Sequence, residues 1–178
     1  MKIGVIGHTL QVASLQDLPP RARLGLADVD LVLHVGNIGN LSFLRDLQDS
    51  FGLVFAVHGD QDSKDVNRYL DSSKVVRFAN RKIGITFGHH IPENTTRILP
   101  FKRTGGDAHP NSLSEQLLSQ FETVDCIVFG NPENSLNHVH QGTLIFNPGQ
   151  LVSSSGQPGT MGLLDVTDKA IMGRIIQL

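Results

Sequence analysis

The chain of 178 residues is poor in several features that usually announce a function, and each shortage removes a class of explanation. It has one cysteine, Cys126, set inside the apolar run 124–129, so neither an internal disulfide framework nor a cysteine zinc site can be built from it. It has no excess of charge of one sign. Fifteen Lys and Arg against 17 Asp and Glu leave a formal net charge of −2, which supplies no basic footprint for a nucleic-acid backbone and no acidic run of the kind that keeps a tail disordered. No apolar run approaches the length that spans a bilayer. Lys2 is followed by only a few apolar residues before His8, without the charged start, long apolar stretch and small-residue cleavage site of a signal peptide, so the expected location is cytoplasmic. The signatures Gly-x-x-x-x-Gly-Lys, Gly-x-Gly-x-x-Gly and Gly-x-Ser-x-Gly are also missing, which sets aside a P-loop, a dinucleotide fingerprint and a serine-hydrolase elbow.

What remains is long enough for one well-buried core and too short for two ordinary domains, so a single domain over 1–178 is expected. Short runs rich in Val, Ile and Leu alternate with stretches of helical period, the pattern of an α/β protein with buried strands. Strands are predicted at 2–6, 31–35, 53–58, 75–78, 82–87, 125–129, 143–146, 161–166 and 170–176, and helices near 21–27, 41–51, 65–71 and 113–121. Pro19-Pro20 suits the opening of the first helix, and Ser112 with Glu115 has capping-box spacing at the last. The stretch 91–111, with Pro92, Pro100, Gly105-Gly106 and Pro110, is too long for an ordinary connection and reads as an inserted loop, either a surface insertion or a lid or docking element.

The chemistry-bearing residues fall where predicted strands end. His8 follows the first strand, Asn37 the second, Asp60 the third, Phe87-Gly88-His89 closes the fifth, and Asn131-Pro132-Glu133 follows the sixth. In α/β sheets, loops at the carboxyl ends of strands build sites, so these five segments are expected to converge in one crevice. Gly36-Asn37-Ile38-Gly39 also precedes a helix, whose first amides can either meet a phosphate or serve only as a turn.

In order and spacing, Gly7-His8-Thr9-Leu10, Gly36-Asn37, Gly59-Asp60-Gln61-Asp62, Phe87-Gly88-His89, Gly130-Asn131-Pro132-Glu133 and Asn147-Pro148-Gly149 resemble the motifs of the calcineurin-like metallophosphoesterase superfamily. Within it they resemble the small bacterial and archaeal phosphodiesterases and the metal-poor retromer subunit related to them. The resemblance spans nearly the whole chain. It implies a four-layer αββα sandwich of two mixed β-sheets and a pair of divalent metals that clamp a phosphate ester and activate water for in-line attack. It also implies that the ligand positions have changed. The first loop's Asp-x-His is here His8-Thr9-Leu10, and the bridging aspartate is Asn37. The asparagine of Gly-Asn-x-Asp is Asp60, the first histidine of His-Gly-His is Phe87, and the two histidines of Gly-His-x-His are Asn131 and Glu133. All seven positions thus depart from the family pattern, whereas Gly36, Gly59, Asp62, Gly88, Gly130 and Asn147-Pro148-Gly149 match it.

The expectation is therefore a degenerate member without dinuclear hydrolysis, kept as a binding or scaffold module that takes a protein partner or a phosphate-bearing small ligand. No cofactor is expected. A crevice in which His8 pairs with Asp60 or Glu133 would hold the loops together in place of a metal. The alternative is a phosphodiesterase or phosphatase with one manganese, zinc or nickel ion held among His8, Asn37, Asp60, Asn131 and Glu133, with His89 protonating the leaving group. A homo-oligomer is left open. Of the other histidines, His34 and His58 read as structural imidazoles at strand ends, and His138 and His140 read first as decoration of a hairpin turn before residue 143 and second as a His-x-His pair, which on an extended segment can chelate a metal.

Overall fold

The computed structural model describes residues 1–88, 113–131, 134–152 and 157–178. Within them, ten strands form two five-stranded sheets. The first has the order β10-β9-β1-β2-β3 and the second β4-β5-β6-β8-β7. The strands are β1 (Lys2–Ile6), β2 (Leu31–His34), β3 (Val54–Ala56), β4 (Ser73–Phe78), β5 (Arg81–Thr86), β6 (Cys126–Phe129), β7 (Leu136–His140), β8 (Thr143–Asn147), β9 (Thr160–Val166) and β10 (Ile171–Gln177). Four α-helices accompany them: α1 (Pro20–Leu26), α2 (Leu41–Phe51), α3 (Lys64–Tyr69) and α4 (Leu113–Ser119).

Both sheets are mixed. β1, β2 and β3 run parallel, as do β5, β6 and β8, and the outer pairings β1 with β9, β9 with β10, β4 with β5 and β7 with β8 are antiparallel. The period of two along each strand sorts its side chains between layers. Ile3 and Val5 of β1, Leu31 and Leu33 of β2, Ile83 and Ile85 of β5, and Cys126 and Val128 of β6 meet between the sheets. Ile6, Val32 and Ala56 turn the other way and pack on Ala22 and Leu26 of α1, on Phe43, Leu44 and Leu47 of α2, and on Val66 of α3. Ile127, Phe129 and Ile145 take Leu117 of α4 on the far face of the second sheet. The order is therefore helix, sheet, sheet, helix, as the family resemblance implies.

Helix starts follow local chemistry. Pro20 occupies the first turn of α1, where no intrahelical donor is needed. The Asn40 side chain caps α2 by accepting from the Phe43 amide, and Ser63 caps α3 by accepting from Val66. Ser112 and the loop 91–111 lie outside the described residues. One expectation is corrected: His138 and His140 are not in a turn but on β7, paired opposite Ile145 and Thr143 of β8. The turn is the two-residue Gln141-Gly142, both at positive φ, which suits the twist of a tight hairpin.

Candidate functional site

The loops after β1, β2, β3, β5 and β6 meet at one rim. His8 and Asn37, the residues two and three positions beyond β1 and β2, both adopt the left-handed conformation at φ 56. Asparagine and histidine both accept this backbone more readily than most side chains do. Here the loops hold each other: the His8 amide donates to Gly36 O at 3.1 Å and the Thr9 amide to Asn37 O at 2.8 Å.

Asn37 is almost wholly buried and has both ends of its amide committed. Its Oδ1 accepts from the Gln61 N–H at 3.0 Å, which fixes the orientation of the amide and turns Nδ2 toward His8 Nδ1 at 3.3 Å. His8 Nε2 then donates to the Gly130 carbonyl at 2.8 Å. This pattern selects the Nε2–H tautomer, with Nδ1 as acceptor. The approach is close enough that a Cβ at Gly59 would lie 2.3 Å from Asn37 Oδ1, so only glycine leaves room for the amide. Phe87, 2% exposed, tilts against the His8 ring with centroids 5.7 Å apart. A Cβ on Gly36, which sits at φ +100, would strike the Phe87 ring at 2.5 Å. Among the described residues, the side chains of His8, Asn37 and Phe87 pack into the space between the loops.

Beneath this pair, Asp62 gathers three amides. Oδ2 accepts from Asn37 N–H at 3.0 Å and from Gly59 N–H at 2.7 Å, and Oδ1 accepts from Gly39 N–H at 2.8 Å. The amides of residues 37 and 39, which the sequence offered to a phosphate, are therefore turned to Asp62. His34 forms a second knot. Its Nδ1 accepts from Gly36 N–H at 3.2 Å, so Nε2 carries the proton and donates to Thr9 Oγ1 at 2.9 Å, and that hydroxyl donates to Ile38 O at 3.1 Å. Burial, and after it the neighbouring His8, pushes the His34 pKa down to about 3.

The predicted site residues divide into those brought together and those kept apart. His8 and Asn37 bond to each other. Asn131 is half-buried beside them, its backbone N–H donating to Phe87 O at 2.8 Å. Asp60 is exposed at the rim, and the bonds of the His8 ring go to Asn37 and Gly130, so a pairing of His8 with Asp60 gives way to one with a backbone carbonyl. Glu133 and His89 lie outside the described residues. Leu10 is 36% exposed at the rim and offers hydrocarbon where the resemblance leads one to expect an imidazole. Among the described residues no group of three or more His, Cys, Asp or Glu is disposed to hold a metal ion. Sequence reasoning missed the Gly130 carbonyl and the reach of Asp62, which registered only as a turn residue. The family match at Asp62, two residues beyond the altered Asp60, was the available signal. His138, away from this rim, is held below the ordinary imidazole range by burial first and by His140 second.

Two mixed sheets face to face, with strand-end loops gathered into one crevice, define the metallophosphoesterase architecture. The calcineurin-like phosphoesterase superfamily domain matches residues 1–169, and the chain belongs to that superfamily. No curated protein matches the sequence. Among solved structures, Vps29 from Chaetomium thermophilum superposes with a TM-score of 0.76 at 18% identity, over 100% of this chain and 89% of that one. It has also been solved in complex with a cyclic peptide. An archaeal phosphodiesterase superposes at 0.67 with 22% identity over 100% of both chains. Vps29 from Entamoeba histolytica, complexed with zinc, superposes at 0.64 with 20% identity over 99% of both. At these identities the likeness is one of fold. Among the described residues no helix is long and apolar enough to cross a membrane.

Proposed function

We propose that this chain is a single-domain, cytoplasmic metallophosphoesterase-fold protein that has exchanged the dinuclear metal centre for a hydrogen-bonded protein crevice, and that it works by binding a partner rather than by hydrolysis. The observation that carries this reading is Asn37. At the position of the bridging carboxylate stands a neutral amide whose oxygen accepts from Gln61 and whose nitrogen donates to His8. Two divalent ions need an anionic oxygen between them, and an amide already engaged at both ends supplies no charge to offset them.

The described residues do not fit the metal pair. Both ring nitrogens of His8 have protein partners, Phe87 fills the space beside them, and Leu10 has no lone pair. The same bonds supply what the metals supply in an active relative, a tie between the loops after β1, β2, β3 and β6. A rim stabilised in this way is a rigid platform, which is what a binding module requires. The peptide complex of the Chaetomium thermophilum neighbour supports a protein or peptide as partner, by analogy of fold.

The test is turnover of a chromogenic phosphodiester, bis(p-nitrophenyl) phosphate, in excess Mn2+ by the wild type and by Asp60→Ala. The expected outcome is the rate of the metal-only blank in both. Turnover that requires Mn2+ and drops about a hundredfold in Asp60→Ala would replace this reading with the mononuclear phosphodiesterase, in which Asp60 helps to hold the ion.

A further inference from the structure

The edge strand β7 carries a pair of imidazoles that the strand-end crevice does not use. His138 and His140 are two residues apart, so they project from the same face of the strand. That face is covered by α4: Leu136, one step earlier in the same register, packs with Leu117, Ile127, Phe129 and Ile145, and Ser114 Oγ of α4 lies 3.1 Å from His138 Nε2. The two rings are 6.4 Å apart between centroids and inclined at 73°. His140 Nε2 is buried and has no hydrogen-bond partner among the described residues. Buried imidazole nitrogens ordinarily find a partner, and one without it marks a place for an ion or a water.

We propose that His138 and His140 together form a chelating site for a borderline transition-metal ion, with water completing the coordination. Metal–nitrogen bonds of about 2.0–2.1 Å place two adjacent ligand rings roughly 4.5–5 Å apart between centroids, in a tetragonal or a tetrahedral field, so side-chain rotations that bring the rings about 1–2 Å closer and exchange the Ser114 contact of His138 for the ion close the pair. Among the described residues β7 ends its sheet, which places the two rings at the sheet's edge, between the strand and α4. The ligand set is two neutral nitrogens without a carboxylate, which selects Cu2+ ahead of Ni2+ and Zn2+ and discriminates against the oxygen-seeking Mn2+. With no third His, Cys, Asp or Glu in reach among the described residues, the ion is exchangeable and not a fold-determining one.

The experiment titrates the tag-free full chain with Cu2+, Ni2+ and Zn2+ by calorimetry, and follows the histidine ring signals by NMR as Cu2+ is added below stoichiometry. One ion per chain is expected, tightest for Cu2+, with selective broadening of the His138 and His140 rings in the unsubstituted protein. Removing one arm of a two-arm chelate, in His138→Gln or in His140→Gln, is expected to weaken binding by about tenfold or more. Unchanged affinity in both variants, broadening centred on other histidines, or no measurable binding overturns the proposal. Reading the ring signals without substitution keeps the test decisive even where a variant fails to fold.

Discussion

At Asp62, three backbone N–H groups from two loops converge on one buried carboxylate, and truncation leaves all three without an acceptor. Asp62→Ala should therefore cost about 2–4 kcal/mol in urea unfolding. Asp62→Asn should do little better, because its amide turns a donor toward donors. His34 makes a different prediction. Its folded pKa of about 3 lies below the ordinary value of 6.5, so the neutral ring's contribution is complete above pH 6.5. As pH falls, the unfolded chain takes up a proton that the native state refuses. Stability should decline from pH 6.5 to about 3, by on the order of 5 kcal/mol at the limit, and this site adds no further slope below that. In His34→Gln, which keeps one acceptor and one donor, the corresponding part of the slope of unfolding free energy against pH should vanish. These partnerships were not legible in the sequence. A bond between His8 and a carbonyl 122 residues away, or between Asp62 and amides of another loop, depends on where loops meet, and no periodicity records it.

Among the elements, the apolar strands could be read because Val, Ile and Leu runs bounded by glycine turns carry their own signal, and β1 runs over the residues expected. β7 could not be read this way. Leu-Asn-His-Val-His has too little apolar content at the edge of a sheet, and the signal that could have found it was the Gln141-Gly142 turn before a clear strand. The β4–β5 hairpin turns through Ala79 and Asn80, both at positive φ, and Ala79 is exposed there at φ 48. Ala79→Asn should stabilise the protein by about 0.5–1 kcal/mol, since asparagine tolerates this backbone and alanine does not. Urea midpoints at unchanged m-value would establish it. On β6, burial first and the adjacent Asp125 second push the Cys126 thiol well up. It should resist thiol reagents at pH 8 in the native protein, reacting only as fast as the sandwich opens, and label fully in denaturant. Rapid stoichiometric labelling without denaturant would mean that the inter-sheet core is looser than its packing implies.

For the molecule as a whole, the strands and helices could be read from apolar runs and helical period, the layering was implied by the family resemblance, and the strand order was not legible, because pairing between strands far apart in sequence leaves no periodic mark. The convergence of the loops follows from each landmark residue standing at a strand end. The exchange of ligand types was visible residue by residue, at 8, 10, 37, 60, 87, 131 and 133. Its structural consequence was not, because whether a ligand position without a metal becomes an open pocket or a filled core is decided by packing. In this chain Phe87, Asn37 and His8 fill it. The measurement that bears most directly on this is 15N NMR of the His8 ring and the Asn37 side-chain amide, with and without several equivalents of Mn2+. The account predicts a His8 ring with the proton on Nε2, and His8 and Asn37 signals that survive the added ion. Loss of both signals to paramagnetic broadening at one or two equivalents of Mn2+ would contradict it, placing a metal where the protein's own hydrogen bonds are held to close the crevice.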